Sequence, residues 1–300
     1  MTQTLYITGG TGFIGKSLVD RFTAMGWFVF VQTRSPQKYK DQKQLKYIAQ
    51  AKEIDRKIDL LINLAGKPLA TRWTEKTKLE IYQSRVDFTL QLAKEFSSIP
   101  EWAPSKLLST SAIGYYATGD KPRTEVSEEG VGFSAKLCKD WEQAAKSFQK
   151  LGCSVSILRF GVVLDESGGS LKAMLPSFKL GLGARLGSGQ QWFSWISLAD
   201  LLSIYEFCAE QRESTDLPEV INATAPKPVT NNEFTCQLAK ALKRPAFFRA
   251  PLFVLKAILG EGAEDFLLAN LRVLPGYLVD REFEFIDREI DQLFRRTLTN

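Results

Sequence analysis

The sequence predicts an α/β protein built on a doubly wound parallel sheet, and three features of the 300-residue chain lead to this prediction. A short apolar run over residues 4–8 ends in a turn with spaced glycines, and a helical pattern follows directly. Strand and helix patterns then alternate through the first half of the chain, as they do in β-α-β folds. After about residue 160, glycine and proline clusters separate further helical patterns, which predict a smaller, mostly helical region.

The periodicity of apolar residues places the individual elements. Strands are predicted near residues 4–8, 28–33, 45–49, 59–64, 106–111 and 154–160, and a strand near 219–223 is expected to return to the same sheet. Helices are predicted near 13–25, 75–98, 134–150, 171–180, 198–211, 231–242 and 251–270, with a shorter one near 50–56. We therefore expect a Rossmann domain over residues 1–165 and a substrate-covering C-terminal region over residues 166–300.

Composition restricts the class of protein and its partners. A hydrophobic content of 44% and a charged content of 24% are typical of a soluble globular chain. No apolar run approaches the roughly 20 residues that a membrane span needs. The net charge of +5 is dispersed, without the Lys/Arg run that nucleic acid favours. Because no leader pattern precedes the first strand, we expect a cytoplasmic protein with no membrane or nucleic-acid partner.

Histidine and cysteine usage excludes several kinds of chemistry. The chain has no histidine, which excludes Ser–His and Cys–His nucleophilic systems and His-ligated metal centres. Its four cysteines are widely spaced and form no C-x-x-C pair. This spacing is more typical of buried thiols than of a disulfide framework or a zinc motif. We therefore predict no metal site, and any proton transfer has to come from Tyr, Lys, Asp, Glu or Cys.

The turn after the first strand has the residue types of a dinucleotide phosphate site. Gly9 permits a tight turn, Gly12 lets the backbone approach a pyrophosphate, and Gly15 lets the first helix pack against the strand. The N–H groups at the start of that helix, beside Phe13 and Ile14, then face the phosphates together with the positive end of the helix dipole. The alternative is an ordinary strand-to-helix turn that binds no ligand.

The end of the second strand distinguishes NAD from NADP. A protein that binds NAD tends to place Asp or Glu there, whereas this chain carries Gln32, Thr33 and Arg34. A guanidinium attracts the 2′-phosphate of NADP and can bind it through two hydrogen bonds. The sequence therefore predicts NADP(H) as the cofactor, and the alternative is that Arg34 is an ordinary surface residue.

Small residues and an arginine follow the fourth strand. Leu64, Ala65 and Gly66 stand at its carboxyl end, where small residues let the backbone lie against a cofactor ribose. Arg85 lies on the next helix, and the residues alone leave two roles open for it. One is an exposed helical charge, and the other is a polar contact to the cofactor.

Longer runs resemble the extended short-chain dehydrogenase/reductase superfamily. They are TGGTGFIG at 8–15, NLAG at 63–66 and STSAIGYY at 109–116. Further runs resemble, within that superfamily, the atypical YfcH-like family of NAD(P)-dependent epimerases, which has a small C-terminal domain and no established substrate. They are LRFGVVL at 158–164, the stretches 174–183 and 187–192, WISLAD at 195–200, NATAP at 222–226 and RVLP at 272–275.

The resemblance covers essentially the whole chain and implies which residues hold the cofactor. They are Gly9, Gly12, Phe13, Ile14 and Gly15 in the turn, then Thr33, Arg34, Leu64, Ala65, Glu80, Arg85 and Val162. It thereby favours cofactor contact for Arg34 and Arg85 over the two surface alternatives. Because dimers are common in the superfamily, a homodimer is also left open.

The expected catalytic residues depart from the superfamily pattern. Members usually join a Ser to a Tyr-x-x-x-Lys pair, in which Lys lowers the pKa of Tyr so that the phenolate takes a proton during hydride transfer. Ser111 stands at the serine position and Lys136 can stand at the lysine position, but Gly132 lies where the tyrosine belongs. The replacement acid/base candidates are Tyr115 and Tyr116, which follow the fifth strand; the alternative is that they are packed aromatics that position the substrate. For Lys136, the alternatives are a contact to the nicotinamide ribose and a solvated surface charge.

Two functions of different class are therefore open. The first is an epimerase or reductase acting on an unidentified small molecule, for which a nucleotide-sugar is suggested by superfamily analogy alone. The second is a regulatory protein that senses NADPH and NADP⁺ without turnover, for which the missing tyrosine argues. Ser111, Tyr115 and the glycine-rich loops over 181–189 favour an enzyme with a substrate pocket.

Overall fold

A computed structural model describes residues 2–211 and 217–298. The strands in chain order are β1 Thr4–Thr8, β2 Phe28–Gln32, β3 Leu45–Ile48, β4 Leu60–Asn63, β5 Lys106–Ala112, β6 Gly119–Arg123, β7 Ser154–Phe160, β8 Val162–Asp165, β9 Ala184–Leu186, β10 Trp192–Phe193, β11 Trp195–Ser197, β12 Val220–Ala223, β13 Val229–Thr230, β14 Phe248–Ala250 and β15 Leu271–Val273. The α-helices are α1 Phe13–Ala24, α2 Glu75–Tyr82, α3 Phe88–Ser97, α4 Phe133–Lys146, α5 Gly169–Lys179, α6 Leu198–Glu210, α7 Asn231–Ala241, α8 Leu252–Leu259, α9 Gly276–Asp280 and α10 Ile290–Leu298.

Seven of these strands form one parallel sheet in the order β12-β7-β5-β4-β1-β2-β3. The order reverses between β1 and β4, so the crevice at the carboxyl ends of these two strands is the switch point where such sheets bind ligands. The predicted α/β Rossmann class is confirmed. The strand near 219–223 is β12, which lies beside β7 with Val220 opposite Ile157.

Helices cover both faces of the sheet because its central strands are apolar on both sides. All five residues of β1 are buried, as a central parallel strand requires. On one face, α1 buries Leu18 and Phe22 against the sheet, together with residues of α6. On the other face, α3 buries Leu92 and Phe96. The switch-point crevice therefore lies at the edge of a sheet that is packed on both faces.

The C-terminal half contains more strand than the sequence predicted. Helices α5, α7 and α10 share a second apolar core around the fully buried Trp195. Short two-stranded ladders accompany these helices: β8 with β11, β9 with β14, β10 with β13, and β6 with β15. Strands of two to five residues carry too little periodicity to be recognised in sequence, and their pairing depends on contacts distant in the chain.

Three predicted helices differ in detail from the observed ones. The helix expected over 251–270 ends at Leu259, because Gly260 takes a φ of +63° and packs on the backbone of Trp73; a π-helical turn follows at Ala263–Leu267. The short helix near 50–56 is a 3₁₀ turn of three residues. The long helix over 75–98 contains a π-helical turn, Gln83–Asp87, between α2 and α3. Within the described residues, no helix is long and apolar enough to cross a bilayer.

Candidate functional site

The glycine turn between β1 and α1 lies against the chain that follows β4. Gly9 has a φ of +68°, and a Cβ there would stand 2.9 Å from the carbonyl carbon of Leu64. A Cβ on Gly15 would stand 2.2 Å from the carbonyl oxygen of Gly9, so Gly15 packs on the turn itself rather than on the strand. The N–H of Gly12 donates to that same oxygen at 3.0 Å. Side chains at Gly9 or Gly15 would therefore disrupt the turn.

The first turn of α1 presents backbone donors to the crevice. No side chain caps this helix, so the N–H groups of its first turn do not donate to a capping side chain. The side chain of Phe13 covers the chain at the start of α5, where a Cβ on Gly168 would stand 2.1 Å from its ring. Ile14 packs against the core of the sheet. Both side chains are thus engaged within the protein, and the helix terminus can bind an anion through its backbone.

Thr8 joins the two strand ends that border the crevice. Its hydroxyl donates to Oδ1 of Asn63 at 2.7 Å and accepts from the N–H groups of Leu64 and Ala65, each at 3.2 Å. Asn63 in turn donates to the hydroxyl of Thr89 on α3 at 2.9 Å. Because Thr8, Asn63 and Thr89 are all buried, these hydrogen bonds tie the carboxyl ends of β1 and β4 to α3 away from solvent.

The end of β2 carries the residues predicted to select the cofactor. The N–H of Thr33 donates to the carbonyl of Ile48 at 2.9 Å, which fixes the chain just past the strand. Arg34 follows directly and its side chain is exposed. No carboxylate stands at the end of this strand, and Arg34 has no ion pair within residues 2–211 and 217–298. Its guanidinium is therefore available to an anionic ligand.

Arg85 occupies the opposite edge of the crevice and is only 8% exposed. Its guanidinium carbon lies 2.9 Å from where a Cβ on Gly66 would stand, and 5.3 Å from the centre of the Trp141 ring. It donates to the carbonyl of Ile81 at 3.4 Å and to the hydroxyl of Ser84 at 3.3 Å, and no carboxylate pairs with it among the described residues. Burial lowers the pKa of Arg85 to about 10. The structure thus excludes the exposed-charge alternative for Arg85.

Glu80 and Val162 complete the set of residues that the family resemblance implied. Glu80 lies on α2 and forms an ion pair with Lys67, which lowers the pKa of Glu80. Val162 begins β8 immediately beyond β7, and its N–H donates to the carbonyl of Ser194 at 2.9 Å. Both side chains are partly exposed.

In the expected Tyr-x-x-x-Lys arrangement, Lys136 on α4 would face β5. The structure places a different face of α4 against β5. A Cβ on Gly114, just after β5, would stand 3.2 Å from the Cβ of Ser134 and 3.9 Å from the Sγ of Cys138. Lys136 is offset by two residues from each, which is about 200° around the helix. Its side chain is 70% exposed and pairs with Asp140 at 2.7 Å. Lys136 thus faces solvent and not Ser111, and the helix face toward β5 carries a hydroxyl and a thiol.

Ser111 belongs to a group of buried polar side chains beneath that face. Its hydroxyl donates to Oε1 of Glu142 at 2.7 Å, and Arg159 donates to both carboxylate oxygens of Glu142 at 2.8 and 2.7 Å. Arg159 also donates to the hydroxyl of Tyr116 at 2.9 Å, and Tyr116 donates to Oδ1 of Asn222 at 2.7 Å. These residues, Ser111, Tyr116, Glu142, Arg159 and Asn222, are called the buried polar cluster below.

The buried polar cluster distinguishes between the two tyrosines that follow β5. Tyr116 is 2% exposed, and burial raises its pKa despite the opposing charge of Arg159. Tyr115 is half-buried, and the guanidinium carbon of Arg159 lies over its ring, 3.5 Å from the ring centre. Within the described residues the Tyr115 hydroxyl has no hydrogen-bond partner. Of the two tyrosines, Tyr115 is therefore the one whose hydroxyl is not bound by another described residue.

Glu142, Arg159, Ser134 and Cys138 were not identified from the sequence, although two signals were present. Ser134, Cys138 and Glu142 are spaced by four residues and thus share one helix face. Arg159 interrupts the otherwise apolar end of β7, where only a buried partner makes a charge tolerable. Burial raises the pKa of the Cys138 thiol to about 11, so it is neutral near pH 7. No cluster of His, Cys, Asp or Glu that could hold a metal occurs in the described part of the chain.

A Rossmann sheet with a spaced-glycine turn at its switch point defines a dinucleotide-binding class of protein. The profile of the NAD dependent epimerase/dehydratase family matches residues 5–224. That of a domain of unknown function, DUF1731, matches residues 250–297. The chain therefore belongs to the NAD dependent epimerase/dehydratase family, and the resemblance found in the sequence is confirmed.

Individual relatives and solved structures agree with this assignment. The epimerase family protein SDR39U1 homolog, chloroplastic, of Arabidopsis thaliana is 39% identical over 294 residues, covering 94% of this chain and 83% of that protein. Epimerase family protein MW0731 of Staphylococcus aureus is 36% identical over 286 residues, covering 93% of each. The crystal structure of human epimerase family protein SDR39U1 (isoform 2) with NADPH superposes with a TM-score of 0.87 at 29% identity, covering 99% of this chain and 100% of the human one.

Proposed function

We propose that this chain binds NADP(H) in the switch-point crevice and uses it to oxidise, reduce or epimerise a small molecule. The observation that carries the proposal is the end of β2, where an exposed Arg34, unpaired within the described part of the chain, stands in place of the carboxylate typical of NAD proteins. The human relative crystallised with NADPH, at 29% identity, supports the same choice of cofactor. When bound, NADP(H) supplies or accepts a hydride.

The residues of the crevice fit this cofactor. The leading N–H groups of α1 would hold the pyrophosphate, and Thr33 and Arg34 would hold the 2′-phosphate. Leu64, Ala65 and Gly66 would leave room for a ribose, and Glu80 would accept from ribose hydroxyls. Arg85, which pairs with no carboxylate among the described residues, would donate to a polar group of the cofactor. Val162 would lie beside the nicotinamide. We propose further that residues 1–165, completed by β12, form the cofactor-binding domain and residues 166–300 cover the substrate.

Replacing Arg34 by alanine tests the choice of cofactor. The substitution should weaken NADPH binding by about 1–3 kcal/mol, the range for a lost charge-assisted hydrogen bond, and leave NADH binding unchanged. Isothermal titration calorimetry with both cofactors measures this difference. Arg281→Ala, at an exposed arginine in the C-terminal half, is the matched control and should change neither affinity. Equal losses for NADPH and NADH in Arg34→Ala would contradict the 2′-phosphate assignment.

For the proton transfer that accompanies hydride transfer, we propose Tyr115. Ser111 and Lys136 are left out of this role because Ser111 donates to Glu142 and Lys136 is paired with Asp140 on the solvent face. The phenolate form of Tyr115 would accept the hydroxyl proton of a carbinol as its hydride leaves, and the phenol form would give a proton to the oxygen of a carbonyl as hydride arrives. An epimerase would perform both halves in succession, and a reductase only the second.

The Tyr115→Phe variant separates the hydroxyl from the ring. The phenylalanine ring still stacks on Arg159, so NADPH binding and stability should stay at the level of the unchanged protein. Oxidation of NADPH in the presence of a panel of carbonyl compounds should fall by about 100-fold or more, as for loss of an acid/base group. Tyr82→Phe, which removes a hydroxyl bound to Asp140 on the solvent side of α4, is the control. Full activity of Tyr115→Phe would remove Tyr115 from the mechanism.

A further inference from the structure

The C-terminal half exposes a group of large apolar side chains outside the crevice. Six of them are called the apolar patch below: Leu180, Leu182, Phe247, Phe248, Phe253 and Ile258. Phe247 is 86% exposed, Phe253 74% and Ile258 61%. Helix α8 contributes most clearly, because Leu255 is its single buried residue. Monomeric soluble proteins seldom leave contiguous apolar surface of this kind without a partner.

The contributing segments are adjacent in space. A Cβ on Gly181 would stand 3.4 Å from the ring of Pro245, and Nε of Arg244 donates to the carbonyl of Lys179 at 3.0 Å. Strand β14 pairs with β9, which places Phe248 opposite Ala184. Helix α8 begins two residues after β14. The loop after α5 and the chain before β14 thus lie side by side, and α8 continues directly from β14.

Cations predominate in the segment that carries most of the apolar patch, and Glu233 and Glu261 flank this segment. Residues 234–260 contain five Lys and Arg side chains and no Asp or Glu. Lys256 pairs with Glu264 at 2.9 Å. Lys243 and Arg249 are exposed and have no ion pair within residues 2–211 and 217–298. An apolar surface with unneutralised cations needs a partner that is both apolar and anionic.

This combination selects among possible partners. In a dimer with two-fold symmetry, the apolar patch of each copy would face that of the other. Two surfaces rich in cations would then meet, and their repulsion opposes association. The surface of an anionic bilayer offers apolar acyl chains to the aromatic side chains and negative headgroups to the cations. We propose that the apolar patch docks the protein on an anionic membrane surface, with α8 lying in the plane of the headgroups. The proposal concerns binding to the surface and involves no spanning segment.

Vesicle flotation tests this proposal on the full chain. The protein should float with vesicles of equimolar phosphatidylglycerol and phosphatidylcholine, bind vesicles of phosphatidylcholine alone much less, and be released by added NaCl. Phe253→Glu should reduce the bound fraction by about tenfold or more, because a carboxylate replaces the inserted ring. Each of Lys243→Gln and Arg249→Gln should reduce it by roughly fivefold on the anionic vesicles only.

Leu90→Glu is the matched control, since Leu90 is 48% exposed on α3, far from the C-terminal half in sequence. It should bind vesicles as the unchanged protein does, and unchanged NADPH affinity in all variants separates this test from that of the cofactor site. Absence of binding to the anionic vesicles overturns the proposal, as does equal binding of Phe253→Glu and the unchanged protein. A dimer in light scattering that Phe253→Glu converts to monomer, without vesicle binding, would assign the patch to a second copy instead.

Discussion

Replacing Arg159 by leucine should lower the free energy of unfolding by about 3–5 kcal/mol, the usual effect of removing one partner from a buried ion pair. The side chains of Arg159 and Glu142 are 4% and 8% exposed, and two hydrogen bonds join them. Although burial opposes the charge, the hydrogen bonds and charge of Glu142 hold the pKa of Arg159 above its usual value. Leucine would leave the Glu142 carboxylate buried with only the hydroxyl of Ser111.

Urea denaturation followed by circular dichroism measures this loss. Lys136→Leu is the matched control, because it removes a cation from the ion pair with Asp140, which is exposed to solvent, and should change stability little. The double variant Arg159→Leu/Glu142→Gln should recover part of the stability, since no uncompensated carboxylate remains. Similar small effects of Arg159→Leu and Lys136→Leu would show that the buried polar cluster does not hold β5, β7 and α4 together.

Replacing Arg85 by methionine should raise the free energy of unfolding, unlike Arg159→Leu, and should weaken cofactor binding. The guanidinium is buried without a carboxylate partner among the described residues, and burial lowers its pKa to about 10, so keeping it charged costs stability. The contact with the Trp141 ring offsets part of that cost. Methionine fills a similar length with no charge, so we expect the free energy of unfolding to rise by about 1–2 kcal/mol.

The same variant should bind NADPH more weakly by about 1–3 kcal/mol, since the proposed cofactor contact to the guanidinium is lost. Both quantities are measured on one preparation, by urea denaturation without cofactor and by calorimetric titration. Arg281→Met serves as the control for the substitution itself, at an exposed site. If Arg85→Met were less stable and bound NADPH normally, Arg85 would be a structural residue of the π-helical turn.

The N-terminal half of the fold was predictable because its signals are local. Strands β1 to β5 and β7 are short apolar runs in regular alternation with helices, and the glycines after β1 specify a turn that few other residues can form. Gly9, with its φ of +68°, is the clearest instance. The ladders of the C-terminal half depend on pairings such as Leu271 with Gly119, which no local pattern encodes.

The candidate site was predictable to a smaller extent. The positions of Arg34 and of the glycine turn follow from their place after a strand, which the sequence shows. The register of α4 against β5 does not follow from the sequence. The same local sequence is compatible with a helix that places Lys136 beside Ser111 and with one that places Cys138 beside Ser111. Only the packing of Gly114 on Ser134 and Cys138 decides between them. For the same reason, the contact of Arg85 with Gly66 could not be derived from the spacing between them.

The measurement that tests the account most directly is a calorimetric titration of the purified chain with NADPH and with NADH, after a check for cofactor retained through purification. We predict that NADPH binds with a dissociation constant at least about tenfold lower than that of NADH, because only NADPH carries the 2′-phosphate that the guanidinium of Arg34 would bind. Equal affinity for the two would contradict NADP(H) selection at the end of β2. Binding of neither would mean that the glycine turn serves the fold alone.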